Sequence, residues 1–259
     1  MAINRLDEPA SPTGVLSPHF DDAVLSCAQI LAANPGSTVL TVFSGGPPSI
    51  DILTSWNAAC GFALGDDVMG IRTAEDDAAL ATLGARGIRL GLWERQYRWG
   101  QPDVSRTLAT RLRYLRQQYR RESGLVAEGA EKLRTAIAAT DLTTWLMPLG
   151  VTHPDHRLTR QICLRVAREL PDRQWLVYEE LPYSAEHGNA RRRALAAIKR
   201  AGFQLQPAPY EPDADQDRKR AALAHYASQL KALGQRAEFS ISTPERYHVL
   251  LSAVSEHMR

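Results

Sequence analysis

The chain is expected to fold as an α/β domain, Rossmann-like, with a mostly parallel sheet and helices on both faces. Three observations lead there. Short apolar runs rich in Val, Leu and Ile alternate with helix-length stretches along most of the 259 residues. The first strand, helix and strand fit within about thirty residues, the size of a βαβ unit, and such units hold parallel strands. The helical stretches open on acids and close on Gly or Pro, as helix ends do.

The elements follow in order. "GVLS" (14–17) reads as a buried strand ending at a proline. "DDAVLSCAQILAANPG" (21–36) is a helix that opens on two acids and stops at Asn-Pro-Gly, and "STVLTVFSGG" (37–46) is a β-branched strand. A helix over 71–87 with a glycine stop leads to the strand-like "IRLGLW" (88–93). Two helices, 103–121 and 125–140, precede the strand "TTWLMPLG" (143–150). A helix over 156–170 and the strand "QWLVYEELPY" (174–183) come next. The last third predicts helices near 188–201 and 214–234, a short strand near 203–206 and a final helix near 244–256. No repeat or low-complexity linker divides the chain. "PAPYEPDADQD" (207–217) is loop-like but too short to separate domains, so residues 1–259 are expected to form a single domain.

Composition narrows the function. Hydrophobic content is 44%, charged content 23% and net charge +2, which gives no reason to expect nucleic acid or another polyanion as partner. No apolar run approaches the ~18 residues that cross a bilayer. "MAINRLDEPASPTG" lacks an apolar signal core, so a cytoplasmic protein is expected. Cys27, Cys60 and Cys163 are scattered and odd in number, so no disulfide framework is implied. Among apolar neighbours, Cys27 and Cys163 read as inert buried thiols. A homo-oligomer is compatible with all of this and is not specified by it.

Chemistry concentrates in two loops. The first is "SPHFDD", with His19, Asp21 and Asp22 between the first strand and the first helix. Ligands of open parallel sheets bind outside the carboxyl ends of the strands, where this loop falls. Free N–H groups at the helix start favour ionised carboxylates. Imidazole nitrogen and carboxylate oxygen are normal zinc ligands. Taken singly, Asp21 or Asp22 can equally be an N-cap, and His19 an ordinary loop histidine. The second loop, "HPDH" (153–156), repeats the architecture after the strand 143–150, and it carries two of the chain's seven histidines. Together the loops offer His19, Asp22 and one histidine of 153–156 to a cation, which is the three-ligand pattern of catalytic zinc. Such a metal acidifies water and polarises a carbonyl, while a neighbouring acid and histidine handle protons. That chemistry suits hydrolysis of an amide or a similar bond.

"SPHFDDAVLS" followed by "HPDHR" resembles the PIG-L/LmbE-like de-N-acetylase family. The helix "RTAEDDAALATLG" resembles the segment between the family's two motifs, and the likeness in order and spacing covers roughly 14–180. The resemblance implies an LmbE-like fold and a zinc-dependent hydrolase (another divalent metal being compatible) that removes an N-acetyl or related N-acyl group from an amino sugar or similar small molecule. By motif position it implies His19, Asp22 and His156 as metal ligands. Asp21 would be the general base. His153 would stabilise the oxyanion and act as general acid, with Asp155 orienting it. Arg72 resembles a substrate-contacting arginine. Phe20 stands where many members have proline, Ala23 where many have glutamate, and Val151 where some have tyrosine.

Other features bear on substrate. "LGLWERQYRWGQPD" (90–103) mixes Trp93, Tyr97 and Trp99 with charges and can form a substrate wall, with Glu94 as a hydroxyl contact. Glu179, Glu180 and Tyr183 follow a strand and can close the pocket. The stripes Leu108, Leu112, Leu115, Tyr119 and Leu223, Tyr226, Leu230, Leu233 read as core faces. Two further functions stay open: an amidase of larger thiol or sugar conjugates, and a non-catalytic metal- or ligand-binding module.

Overall fold

The computed structural model describes residues 11–47, 50–98, 108–208 and 215–252, with the backbone alone over 108–119. A seven-stranded sheet is built from β1 (Gly14–Ser17), β2 (Thr38–Thr41), β3 (Arg86–Arg89), β4 (Thr144–Pro148), β5 (Gln174–Tyr178), β6 (Phe203–Pro207) and β7 (Tyr247–Ser252), in the order β3-β2-β1-β4-β5-β7-β6. The first five strands are parallel, and β7 runs antiparallel to both β5 and β6. The strand order reverses between β1 and β4. That reversal is the switch point at which open α/β sheets bind ligands, and both chemistry-bearing loops leave the sheet there.

Side chains alternate across the sheet with the period of two that strands impose. Leu16, Leu40, Trp145, Met147 and Val177 face one apolar layer, and Val15, Val39, Leu146 and Leu176 face the other. The first layer is covered by α5 (Leu108–Ala138), α6 (Pro154–Glu169) and α8 (Gly188–Arg200) through Leu133, Ile137, Ile162, Val166 and Ile198. α1 (Asp22–Ala33), α3 (Val68–Thr82) and the helices α9 (Gln216–Leu223), α10 (Ala227–Leu233) and α11 (Gln235–Ser242) cover the second. Three short helices complete the described set: α2 (Ser55–Ala59), α4 (Arg95–Arg98) and α7 (Tyr183–Glu186).

Several sequence expectations need correction. The last helix, expected over 244–256, is strand β7 as far as Ser252; residues 253–256 lie outside the described residues. A short apolar run does not distinguish strand from helix, and here the free edges of β5 and β6 take it up as a strand. The two helices expected over 103–121 and 125–140 are one helix, α5. Gly124 costs it about 1 kcal/mol relative to Ala, which packing against α6 offsets. Gly129 permits that packing, since a Cβ there would lie 2.5 Å from Ile162 Cδ1. The helix expected over 214–234 breaks between α9 and α10, where the non-helical Tyr226 (φ −82°, ψ 54°) sends its hydroxyl inward to Phe20 O and Asp76 Oδ1. The stripe on Leu108, Leu112, Leu115 and Tyr119, residue Trp99, and most of the loop 207–217 lie outside the described side chains. Leu223, Tyr226 and Leu233 are core as expected, and all three cysteines are buried and free.

Candidate active site

The β1–α1 loop is shaped by Ser17, whose hydroxyl donates to His19 O (2.5 Å) and accepts from Ala23 N (3.0 Å). This wraps the chain so that Asp22 Oδ2 accepts the backbone N–H of His19 at 2.9 Å and lies 3.1 Å from His19 Nδ1. The second loop is fixed by His153, the N-cap of α6, whose Nδ1 accepts from Asp155 N at 3.2 Å while Pro154 occupies the first turn. The switch point brings the two loops together. His156 Nε2 lies 3.2 Å from Asp22 Oδ2, and His19 Nε2 lies 3.1 Å from Asp155 Oδ2. Ring centroids of His19 and His156 are 5.2 Å apart, and those of His19 and His153 are 4.9 Å apart.

Two imidazole nitrogens, one from each loop, thus face a single buried carboxylate oxygen. The far nitrogen of each ring faces another carboxylate: Asp155 for His19, and Glu180 for His156 at 3.3 Å. Ligand histidines of metal sites are held this way, so His19, Asp22 and His156 fit a divalent cation. His153 also comes near, since one ligand atom each of His19, His153 and His156 lie within 4.8 Å of one another. Its Nδ1 accepts a backbone N–H, however, so the neutral ring carries its proton on Nε2, which makes that nitrogen a hydrogen-bond donor.

Charge follows from this packing. Burial opposes ionisation of Asp22, but His156 and His19 outweigh it and hold the carboxylate well below its usual range. Burial likewise works against charge on the two imidazoles. The acids nevertheless raise His19 well above its ordinary value and take His156 to about 9. His153 is pushed down to about 3, by burial first and then by its two positive neighbours. Asp21 precedes α1 yet makes no side-chain cap, which removes its ordinary structural use. Burial, then the charge of Asp22, lifts its carboxyl to about 6.

Asp155 departs from the role implied by motif position. Its carboxylate bonds His19, Arg95 N (2.9 Å) and Arg98 Nη2 (2.5 Å), and only its backbone N–H reaches His153. Arg98 in turn stacks over Phe43 at 4.8 Å. Arg72 and Glu94 both line the pocket but bond each other first, at 2.5 Å, and the second Glu94 oxygen accepts from Gln96. The Arg72 guanidinium also lies 5.2 Å from the face of Phe20, a platform that proline at that position would not supply.

The two loops, with Arg72 and Glu94, line a cavity of about 190 Å³. Tyr183 closes one side, edge-on to His156 at 5.5 Å. Glu179 does not line it; that carboxylate instead binds Arg191 and His248. Trp93 is exposed and is also absent from the lining. Three lining residues escaped sequence reasoning, Trp56 on α2, Gln96 on α4 and Gln229 on α10, while Leu233, expected as core, lines the cavity as well. No spacing marks them. They reach the cavity because Glu75 on α3 accepts from both N and Oγ of Ser228, and because the Trp56 indole donates to Gln229 Oε1.

Residues 15–167 match the PIG-L family model, described as GlcNAc-PI de-N-acetylase. A curated relative, 2'-N-acetylparomamine deacetylase of Niallia circulans, is 30% identical over 88% of this chain and 84% of its own length. The crystal structure of the A40926 pseudoaglycone deacetylase Dbv21 is similar with a TM-score of 0.70 at 26% identity, over 94% of this chain and 98% of that one. N,N'-diacetylchitobiose deacetylase from Pyrococcus horikoshii shares the fold, with a TM-score of 0.56 at 13% identity over 98% of this chain and 90% of its own.

Proposed function

Because this chain belongs to the PIG-L family and is an N-deacetylase, a hydrolase of carbon–nitrogen bonds, we propose that it removes the acetyl group from an N-acetylated amino sugar, with zinc held by His19, Asp22 and His156. The carrying observation is the convergence of one nitrogen of His19 and one of His156 on Asp22 Oδ2, beside an Asp21 carboxylate that caps no helix. The polar lining and the cavity of about 190 Å³ suit one sugar ring with its acetamido group. The relative that acts on 2'-N-acetylparomamine supports an amino-sugar substrate.

When bound, the divalent cation supplies a Lewis acid that polarises the acyl carbonyl and acidifies water. The chain's own groups then divide the proton work. Asp21 takes the proton of the attacking water as the C–O bond forms. His153 Nε2–H donates a hydrogen bond to the carbonyl oxygen as it becomes anionic. With His153 neutral, giving up that proton would leave an imidazolate. The proton for the departing amine therefore comes from Asp21, which has just received it, and this moves the acid role away from the histidine that the motif suggested. The C–N bond breaks, the second water proton passes from the new carboxyl to the amine, and acetate and the protonated amine leave. Asp155 and Arg98 hold His19 in place, while the Arg72–Glu94 pair forms the wall beside Asp21.

Acetate release measured over a panel of N-acetyl amino sugars and larger N-acyl conjugates tests this reading. Turnover of at least one N-acetyl amino sugar, lost in His156→Ala together with the metal, is the expected result. Turnover restricted to large conjugates would overturn the substrate class, and undiminished zinc in purified His156→Ala would overturn the ligand set.

A further inference from the structure

The mechanism leaves unused a buried carboxylate beneath the site. Glu180 follows β5 and is fully buried. Its Oε1 accepts the backbone N–H groups of Gly150 (2.7 Å) and Val151 (3.1 Å), the residues that lead from β4 into the His153 loop. The same oxygen lies 3.3 Å from His156 Nδ1. Two buried polar atoms at this contact lack a hydrogen bond, His156 Nδ1 and Glu180 Oε2. Leaving such groups unpaired costs about 1–3 kcal/mol each, and the Glu180 carboxylate is the acceptor that faces Nδ1, through Oε1.

We propose that Glu180 is a positioning residue for the metal site, taking the Nδ1–H of His156 so that Nε2 presents its lone pair on the Asp22 side. The inference rests on the reading of His19, Asp22 and His156 as ligands. A proton on Nδ1, directed at the Glu180 carboxylate, satisfies the orphaned imidazole nitrogen. With Nδ1 so occupied, Nε2, 3.2 Å from Asp22 Oδ2, is the nitrogen left to a cation that the two would share. His19 is built the same way, with Nδ1 toward Asp22 and Nε2 on Asp155. Each imidazole is thus clamped from behind by one carboxylate. Each also ties down backbone, Asp155 at Arg95 and Glu180 at the residues that lead into the His153 loop. Arg160 supports that backbone from the other side by donating to Leu149 O and Gly150 O. Gly150 is needed there, because it has φ +76° and a Cβ would come within 3.0 Å of His156 O and Arg160 Cβ.

Removing a carboxylate of this kind typically weakens metal binding about 10–100-fold. The test compares zinc affinity, by chelator competition, in wild type, Glu180→Gln and Glu180→Ala. Imidazole nitrogen NMR of the zinc-loaded proteins and melting of the metal-free ones accompany it. We expect His156 of the loaded wild type to carry its proton on Nδ1. Zinc affinity should fall about tenfold in Glu180→Gln and up to about a hundredfold in Glu180→Ala. Should Glu180→Ala fail to fold, Glu180→Gln decides alone, because its amide oxygen can still accept the two backbone N–H groups. A loss of less than about threefold in folded Glu180→Gln, or a bare Nδ1 on His156 in the loaded wild type, overturns the role of Glu180. A wild type that takes up no zinc overturns the ligand reading as well, so the two failures are distinguishable.

Discussion

Asp155 Oδ2 lies 3.1 Å from His19 Nε2, joining residues 136 positions apart, and the same carboxylate accepts from Arg98 and from the backbone of Arg95. One buried acid therefore fixes His19, the proposed ligand, together with the α4 turn and the start of α6. The Asp155→Asn chain keeps the shape but loses the charge that His19 and Arg98 share. We expect zinc affinity about 10–100-fold weaker, read by chelator competition, with kcat partly restored at saturating metal. Unchanged affinity would separate Asp155 from the metal site.

As the proposed base, Asp21 should set an acid limb. Burial and then Asp22 raise its carboxyl to about 6, and a base works only when ionised, so kcat/KM should fall as pH drops through that value. A bound cation can only draw this limb to lower pH. The pH–rate profile of wild type should show a single-proton limb at or below about 6, and Asp21→Asn should lose about 10²–10⁴ of the rate while retaining metal. An identical limb in the residual activity of Asp21→Asn would assign the limb to another group.

The Arg72–Glu94 pair is almost wholly buried, with side chains 3% and 5% exposed. Arg72→Ala strands the Glu94 charge and should destabilise by about 3–5 kcal/mol in denaturant unfolding. Arg72→Met combined with Glu94→Gln should recover most of that loss without recovering activity. Recovery of both would mean that the pair does not shape the substrate wall.

Glu179 carries a pH dependence of stability rather than of catalysis. Burial raises its pKa, but hydrogen bonds from Arg191 and His248 outweigh this and hold it near about 2, against 4.5 in the free side chain. A depressed folded-state pKa gives stability that is present above about 4.5 and is lost as pH falls toward about 2. Arg191 is 30% exposed, so solvent screening trims the contribution to on the order of 1–2 kcal/mol. Glu179→Gln should therefore be less stable than wild type at pH 7, and the two should converge near pH 2–3. A gap that persists there would point to packing instead.

What could be read from residue order was whatever depends on local pattern. Apolar runs broken by Pro and Gly marked β1, β2, β4 and β5. The histidine and acid clusters at 19–22 and 153–156 marked the two loops that carry the chemistry, because such groups have no use in a strand-to-helix seam of the core. Which groups meet depends on pairing at a distance, and pattern does not encode that. β4 beside β1 brings His156 to Asp22 and the Asp155 carboxylate to His19 rather than to His153, while the return of the chain from α3 through β3 brings Glu94 to Arg72. Strand β7 exists because two sheet edges accept it, and α10 reaches the cavity because Glu75 and Trp56 hold it there. Backbone preference acts over a few residues, whereas hydrogen-bond and ion-pair partners are settled by the burial that the assembled sheet imposes.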